Sequence, residues 1–182
     1  MLDRIVAKTS ELGFGMASEP LTGALLRTLA AAKPKGRFLE LGTGAGIATA
    51  WLLAGMDAHS TLTSVDVNAR VQEVAREFLG EDDRLTLVLE DGIQFLQHEK
   101  SESYDFVFAD AMPGKYEGLA ECLRVVRRGG FYVIDDMLPQ ANWPDGHATK
   151  IPVLIHELAN DARLTIVPLT WASGIVVAVR RE

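Results

Sequence analysis

The stretch FLELGTGAGIATAWLLAG, residues 38–55, contains the feature that most limits how this chain can fold. Gly42, Gly44 and Gly46 stand at alternate positions directly after an apolar run that carries one acid, Glu40. Glycine lacks a Cβ, so its backbone can turn sharply and lie close to a bound molecule. In open sheets of parallel strands, ligands bind at the carboxyl ends of the strands, where such loops lie. The stretch therefore predicts a buried strand, a ligand-binding loop and a helix that opens after the loop.

Apolar, β-rich segments alternate with segments of helical period along the 182 residues. This alternation predicts an α/β fold with a mostly parallel sheet and helices on both faces. One predicted helical face carries Leu119, Leu123 and Val126. Because only TWASG separates the last two strands, and a short turn joins only antiparallel strands, we expect an antiparallel hairpin at the C-terminal edge. The length suits one domain over residues 1–182. The seven predicted strands are 38–41, 61–67, 84–90, 104–110, 130–136, 163–169 and 174–180.

Two helices are predicted before the first strand. One covers residues 2–12, and the other begins near the sequence SEP, with Ser18 as the N-cap and Pro20 in the first turn. The segment between them, GFGMASE (residues 13–19), is either a flap over a ligand or a plain connector. We expect residues 1–34 as a whole to cap the site.

Charge and composition narrow the classes of function. The net charge is −7, which disfavours non-specific binding to nucleic acid but leaves room for a local basic patch. Cys122 is the one cysteine, so no internal disulfide can form, as is typical of a reducing, cytoplasmic setting. The N-terminal residues lack the apolar core of a signal peptide, and no apolar run approaches the ~18 residues of a membrane span. We therefore expect a cytoplasmic protein with a small-molecule partner and no membrane contact.

The acid beside the glycine loop indicates the kind of ligand. The dinucleotide pattern G-x-G-x-x-G, counted from Gly42, would need a glycine where Ile47 stands. A pyrophosphate is an anion and gains nothing from Glu40, whereas a ligand with a cationic amine or sulfonium does. The loop therefore favours S-adenosylmethionine over NAD.

Further acids end the predicted strands that follow. Asp66 lies 20 residues after Gly46 and can accept both hydroxyls of a ribose. Asp91 and Gly92 follow the third strand, where an adenine edge would be met, and Asp110 ends the fourth. Each acid alone has the alternative role of a helix cap, but together with the glycine loop they predict one ligand site at one rim of the sheet.

Several segments together resemble the class I S-adenosylmethionine-dependent methyltransferases, whose fold is Rossmann-like. They are LELGTGAGIAT, SVDVN, EDGIQFL, YDFVFADAMPGKY and RRGGFYVIDDML. More closely they resemble the small catechol and caffeoyl-CoA O-methyltransferases, since GMASEPLTGALL is similar to that family's entry helix and PLTWASGIVVAVRR to its closing hairpin. The resemblance implies cofactor contacts over the glycine loop and the acidic rim. The implied positions are Glu40 behind the loop, Gly42, Thr43, Gly44, Gly46, Asp66, Val67, Asp91, Gly92 and Asp110.

The resemblance also implies a divalent metal ion. In the metal-dependent relatives, an Asp of strand four and an Asp-Asn pair after strand five hold the ion; here Asp110, Asp135 and Asp136 match, with Asp136 where the pattern has Asn. Such oxygen ligands suit Mg²⁺, Mn²⁺ or Ca²⁺. The relatives carry a catalytic lysine three residues after the strand-four Asp, but Pro113 stands at that place. This leaves Lys115, reaching the same space from a reshaped loop, as a base candidate or as a solvated surface residue.

Two further features bear on catalysis. His147 is a second base candidate because histidine titrates near neutral pH, although Gly146-His147 can equally open the next helix. Trp143 and Trp171 either wall an aromatic acceptor pocket or pack structurally, whereas Trp51 is expected in the core.

The function that we predict from the sequence is methyl transfer from S-adenosylmethionine to an oxygen, a hydroxyl by preference, of a small molecule, with Asp110, Lys115 and His147 as candidate catalytic residues. The alternatives are a cofactor-binding module without catalysis and a methyltransferase acting on a tRNA nucleoside. Relatives of this size are commonly dimers, so a homodimer is expected.

Overall fold

A computed structural model describes residues 1–140, 143 and 145–181 of the chain. A short 3₁₀ helix, His147–Thr149, precedes the last α-helix. The α-helices are α1 (Leu2–Glu11), α2 (Pro20–Ala31), α3 (Ile47–Gly55), α4 (Ala69–Leu79), α5 (Gly92–His98), α6 (Leu119–Val125) and α7 (Lys150–Asn160). The strands are β1 (Arg37–Leu41), β2 (Thr61–Asp66), β3 (Leu85–Leu89), β4 (Tyr104–Ala109), β5 (Val126–Ile134), β6 (Leu164–Leu169) and β7 (Ile175–Arg180).

The strands form one seven-stranded sheet in the order β3-β2-β1-β4-β5-β7-β6. The strands β1 to β5 pair in parallel, and β7 is antiparallel to both of its neighbours, β5 and β6. The predicted mostly parallel sheet with an antiparallel C-terminal hairpin is therefore confirmed. The strand order reverses between β1 and β4, which opens a crevice at the carboxyl ends of these two strands.

Helices cover both faces of the sheet, as predicted. One apolar core joins the sheet to α5, α6 and α7, and the other joins it to α1, α2, α3 and α4. The central strands are buried on both faces, since Phe106, Val107 and Phe108 in β4 are fully buried. This burial explains why the strand segments read as nearly continuous apolar runs.

The start of the fifth strand differs from the sequence prediction by four residues, whereas the other strand limits agree to within two residues. The fifth strand begins at Val126 and not at residue 130, and Val126 pairs with Tyr104 of β4 instead of continuing the helical face of α6. The register then shifts before Phe131 pairs with Phe106. Gly129, at φ +73°, allows this bulge, so the strand extends past a sequence that reads as a turn.

None of the helices in the described residues is both long and apolar enough to cross a membrane.

Candidate active site

The glycine loop lies at the crevice between β1 and β4 and has little room for side chains. Gly42, at φ +102°, is so close to β4 that a Cβ there would lie 2.6 Å from the carbonyl oxygen of Asp110. Gly46, at φ +91°, begins α3, and a Cβ there would lie 2.7 Å from the Cβ of Ala75 in α4. The alternate glycines therefore let the loop fit between a strand end and a helix while keeping its backbone open to a ligand.

A cavity of about 300 Å³ opens above this loop. The sequence-predicted cofactor residues that line it are Gly42, Thr43, Gly44, Asp66, Val67 and Asp110. Four other predicted cofactor residues, Glu40, Gly46, Asp91 and Gly92, are not among its lining. The structure thus brings six of the ten positions to one cavity and places the other four behind or beside it.

Asp66 ends β2 and faces this cavity. Its Oδ2 accepts a hydrogen bond from the amide of Gly44 at 2.8 Å, and its Oδ1 accepts one from the amide of Asn68 at 2.8 Å. The carboxylate therefore orders the glycine loop and remains at the cavity wall, where it can accept hydroxyl donors.

Glu40 is fully buried beneath the glycine loop and is connected to it through hydrogen bonds. The hydroxyls of Thr49 and Ser64 both donate to its Oε2, and Ser64 is hydrogen-bonded to Thr43 at 2.7 Å. Its Oε1 has no hydrogen-bond partner among the described residues. Burial raises the pKa of Glu40 to about 7, with a smaller contribution from the charge of Asp66, while the hydrogen bonds from Ser64 and Thr49 oppose the rise.

This raised pKa predicts a pH-dependent stability. The folded chain holds the Glu40 proton more tightly than the unfolded chain, whose value is 4.5, so the free energy of unfolding should fall as pH rises from about 4.5 to about 7. Glu40→Gln removes the titrating group. We expect its stability relative to wild type to increase between pH 5 and pH 8, by up to roughly 3 kcal/mol. Urea unfolding at both pH values measures this, with the exposed Glu157→Gln as control; an equal difference at both pH values would contradict it.

Asp91 and Gly92 have structural partners at the start of α5. The Oδ1 of Asp91 accepts from the amides of Ile93 and Gln94, both at 3.0 Å, so Asp91 is the N-cap of the helix. A Cβ on Gly92 would lie 2.8 Å from the Cβ of Pro113. The cap role considered from the sequence is thus realised, and the glycine is required by the loop after β4.

The segment between α1 and α2 lies against the glycine loop. Phe14 is so placed that a Cβ on Gly44 would be 3.2 Å from its ring. Ser18 was predicted as the N-cap of α2, but the N-cap is Glu19 and the Ser18 hydroxyl donates to Asp110 Oδ2 at 3.1 Å. Phe14 and Met16, from the segment considered as a flap or a connector, line the cavity, and Asn68 lines it too. Asn68 was missed because nothing local in the sequence distinguishes it.

A second cavity of about 540 Å³ adjoins the first. Five residues line both cavities, so the two cavities meet where these residues lie. The shared residues are Met16, Ala17, Ser18, Asp110 and Ala111. The second cavity also contains all the remaining predicted catalytic and metal residues, namely Lys115, Asp135, Asp136 and His147.

Asp110 and Lys115 form a buried ion pair at this junction. The Nζ of Lys115 lies 3.8 Å from Asp110 Oδ1, and the two side chains are 5% and 13% exposed. Burial raises the pKa of Asp110 well above its ordinary value; the Lys115 ammonium opposes this, while Asp135 and Asp136 add to it. Lys115 therefore lies inside the second cavity and is not a solvated surface residue.

Asp135, just beyond β5, is held by protein groups. The hydroxyl of Ser173 and the amide of Asp136 both donate to its Oδ1. Burial raises the pKa of Asp135, and these two hydrogen bonds oppose the rise. Within residues 1–140, 143 and 145–181, no three His, Cys, Asp or Glu side chains converge closely enough to hold a metal ion. The predicted site at Asp110, Asp135 and Asp136 is therefore not assembled in this arrangement.

Aromatic rings form one wall of the second cavity. The His147 ring lies 5.1 Å from that of Tyr116 and 4.5 Å from that of Trp143, measured between centroids. Burial lowers the pKa of His147, and the charges of Lys150 and Lys115 lower it further. His147 also begins the 3₁₀ helix before α7, which is the alternative considered for it, and it lines the second cavity. Trp171 is not in the lining, and its Nε1 donates to the carbonyl of Leu21 at 3.0 Å.

Comparison with known proteins places the chain in a family. The family described as "Methyltransferase domain" matches residues 39–137. A protein of Mycolicibacterium smegmatis named "Putative O-methyltransferase" is 33% identical over 192 residues, covering 98% of this chain and 91% of the relative. The crystal structure of a "putative O-methyltransferase" from Klebsiella pneumoniae has a TM-score of 0.85 at 26% identity, with 100% and 90% of the two chains covered. An O-methyltransferase from Bacillus cereus in complex with SAH has the same fold, with a TM-score of 0.85 at 20% identity over 99% and 90% of the chains.

The chain therefore belongs to the class I S-adenosylmethionine-dependent methyltransferases. The similarity of its motifs to the small O-methyltransferases is confirmed by these relatives.

Proposed function

We propose that this protein transfers the methyl group of S-adenosylmethionine to a hydroxyl oxygen of a small acceptor. The observation that carries the proposal is the meeting of two cavities at Asp110 and Ser18. Methyl transfer needs two bound molecules whose reacting atoms are brought together and aligned. One cavity contains the glycine loop and the ribose-binding acid, and the other contains ionisable groups and aromatic rings.

The cofactor fits the first cavity by the chemistry of its wall. Gly42 and Gly44 present backbone without side chains, and the Asp66 carboxylate at the end of β2 would accept ribose hydroxyls. Val67, which is 68% exposed beside Asp66, offers an apolar surface to the adenine. Asp110 would lie toward the cofactor amine, and Glu40 would support the loop from beneath. Asp91 and Gly92 would meet the adenine edge through the start of α5.

The acceptor would bind in the second cavity. Its aromatic wall of Tyr116, Trp143 and His147 fits a planar ring, and its buried ion pair of Asp110 and Lys115 fits a hydroxyl group on that ring. We therefore propose a phenol or a related hydroxylated aromatic compound as the acceptor class.

The residues of the second cavity have distinct proposed roles. When bound, S-adenosylmethionine supplies an electrophilic methyl group: the acceptor oxygen takes the methyl carbon, and the carbon–sulfur electron pair stays on sulfur. His147 would accept the hydroxyl proton, because its lowered pKa keeps the imidazole neutral at neutral pH. Asp110 and Lys115 would orient the acceptor oxygen. The apolar ring wall would exclude water.

The proposed reaction uses no divalent ion. Lys115 lies beside Asp110, and Asp135 is already bound by Ser173 and by the amide of Asp136. The residues in this arrangement do not fit the metal ion that the resemblance implies.

The proposed function predicts cofactor binding and turnover in the same preparation. S-adenosylmethionine and its demethylated product should bind in calorimetry, and radiolabelled methyl should pass to members of a panel of phenols, catechols and hydroxy acids. A chain that binds the cofactor but methylates no acceptor would be a binding module, and one that methylates only tRNA would have the other alternative function. Binding of NADH without binding of S-adenosylmethionine would contradict the proposal.

We also propose that the protein is a cytoplasmic homodimer whose residues 1–34 cap the site. Exposed apolar side chains on the N-terminal helices, Val6 and Leu21 among them, support a contact surface there. The buried thiol of Cys122, without a disulfide, suits a reducing compartment. A monomer mass in light scattering at micromolar concentration would contradict the dimer.

A further inference from the structure

The position of the Lys115 ammonium bears directly on the metal site that the resemblance implies. Its Nζ donates to the main-chain carbonyl of Asp135 at 2.8 Å and lies 3.8 Å from Asp110 Oδ1. It therefore joins the ends of β4 and β5, the two elements whose carboxylates would otherwise share a metal ion. A fixed positive charge already stands among these acids.

The loop after β4 is built to turn this lysine inward. The carbonyl of Met112 accepts from the amides of Lys115 and Glu117 at 3.3 and 3.1 Å, and the amide of Gly114 donates back to Glu117 at 2.7 Å. The hydroxyl of Tyr132 in β5 donates to the carbonyl of Gly114. Hydrogen bonds within the turn therefore fix its shape, and the hydrogen bond from Tyr132 holds it against β5.

Gly114 shows that the turn requires this path. It has φ +85°, and a Cβ there would lie 2.5 Å from Leu41 Cδ1 in β1. The next residue is Lys115, whose side chain is 5% exposed and lines the second cavity. An ordinary surface lysine needs none of these constraints.

The carboxylates are likewise held by donors from the protein. Ser18 donates to Asp110, while Ser173 and the amide of Asp136 donate to Asp135. A divalent cation needs several oxygens that converge on one point, and Mg²⁺ demands a near-ideal octahedron. The hydroxyl and ammonium donors around these acids stabilise part of the negative charge that such a cation would otherwise neutralise.

We propose that the Lys115 ammonium takes the place of the divalent cation, so that this chain transfers methyl groups without a metal ion. The ammonium would donate a hydrogen bond to the acceptor oxygen and stabilise the negative charge that develops there as its proton leaves for His147. This inference rests on the proposed function, in which the same oxygen receives the methyl group.

The test combines metal binding with turnover. Wild-type protein should bind no Mn²⁺ stoichiometrically in electron paramagnetic resonance titrations, and its turnover should be unchanged by EDTA. Lys115→Met removes the ammonium at similar length; it should lower kcat about 100-fold or more, as loss of one such donor does. It should also gain Mn²⁺ binding, because Asp110, Asp135 and Asp136 would lose their neutralising partner and could turn into the space that the ammonium leaves. A role of Lys115 in folding alone would produce no gain of Mn²⁺ affinity.

Lys100→Met is the matched control, since Lys100 is exposed before β4 at the opposite rim of the sheet, and it should change neither readout. If circular dichroism shows Lys115→Met to be unfolded, Lys115→Gln replaces it, and the wild-type Mn²⁺ titration decides independently. Stoichiometric Mn²⁺ binding by wild type, or loss of turnover in EDTA, would overturn the inference. Failure of the proposed function would show differently, as absence of S-adenosylmethionine binding in the same samples.

Discussion

Asp66→Ala should weaken S-adenosylmethionine binding by about 10- to 100-fold. Hydrogen bonds to a charged group contribute roughly 1.5–3 kcal/mol, and each 1.4 kcal/mol is a factor of ten in affinity. The carboxylate faces the first cavity and also accepts the amide of Gly44, so its removal loosens the glycine loop as well as removing the ribose acceptor. Calorimetric titration of the cofactor measures the loss.

Asp161→Ala is the control for this substitution. Asp161 is paired with Arg163 before the start of β6, at the rim of the sheet opposite the cavity. It should leave cofactor affinity unchanged. Equal affinities for Asp66→Ala and wild type would show that the cofactor does not use the end of β2.

Gly46→Ala should destabilise the fold by roughly 2–4 kcal/mol, through left-handed backbone strain together with overpacking. The residue has φ +91°, and the new methyl group would lie 2.7 Å from the Cβ of Ala75 and 3.1 Å from Leu79 Cδ1. For a chain of this length the Tm should fall by roughly 4–16 °C. Cofactor binding should weaken too, because α3 or α4 must shift to admit the methyl group. Thermal unfolding and calorimetry measure the two effects.

The chain offers a control that separates strain from steric contact. Gly129 also has a positive φ, +73°, but a Cβ there meets nothing within 4 Å. Gly129→Ala should therefore cost only the backbone term, about 1–2 kcal/mol, and leave cofactor affinity intact. If the two variants lost equal stability, the helices would have moved apart at no cost, and the expected overpacking against Ala75 would be contradicted.

The sheet could be predicted from the sequence because the patterns that indicate its strands are local. Buried parallel strands appear as apolar runs, and the glycine loop identifies the crevice at the end of β1. The start of β5 was misplaced because its first residues, with Gly129 among them, look like a turn and form a bulge. Such a bulge depends on the partner strand, which the local pattern does not contain.

Contacts distant in sequence could not be predicted. Ser18 has the sequence context of a helix cap, yet it binds Asp110, 92 residues away. The inward course of Lys115 depends on Leu41 and Tyr132, which lie on two other strands. The acids that resemble a metal site also accept hydrogen bonds from side chains that are distant in sequence. No spacing rule within the segment YDFVFADAMPGKY reveals these donors.

The wall that the two cavities share has a consequence for inhibition. Ser18 and Asp110 border both spaces, so molecules bound in the two cavities would lie next to each other. A single compound that joins an adenosyl group to an aromatic ring by a short tether would occupy both spaces at once. Its second half would then bind at an effective concentration set by the tether, and such a conjugate should exceed the affinity of either half by orders of magnitude.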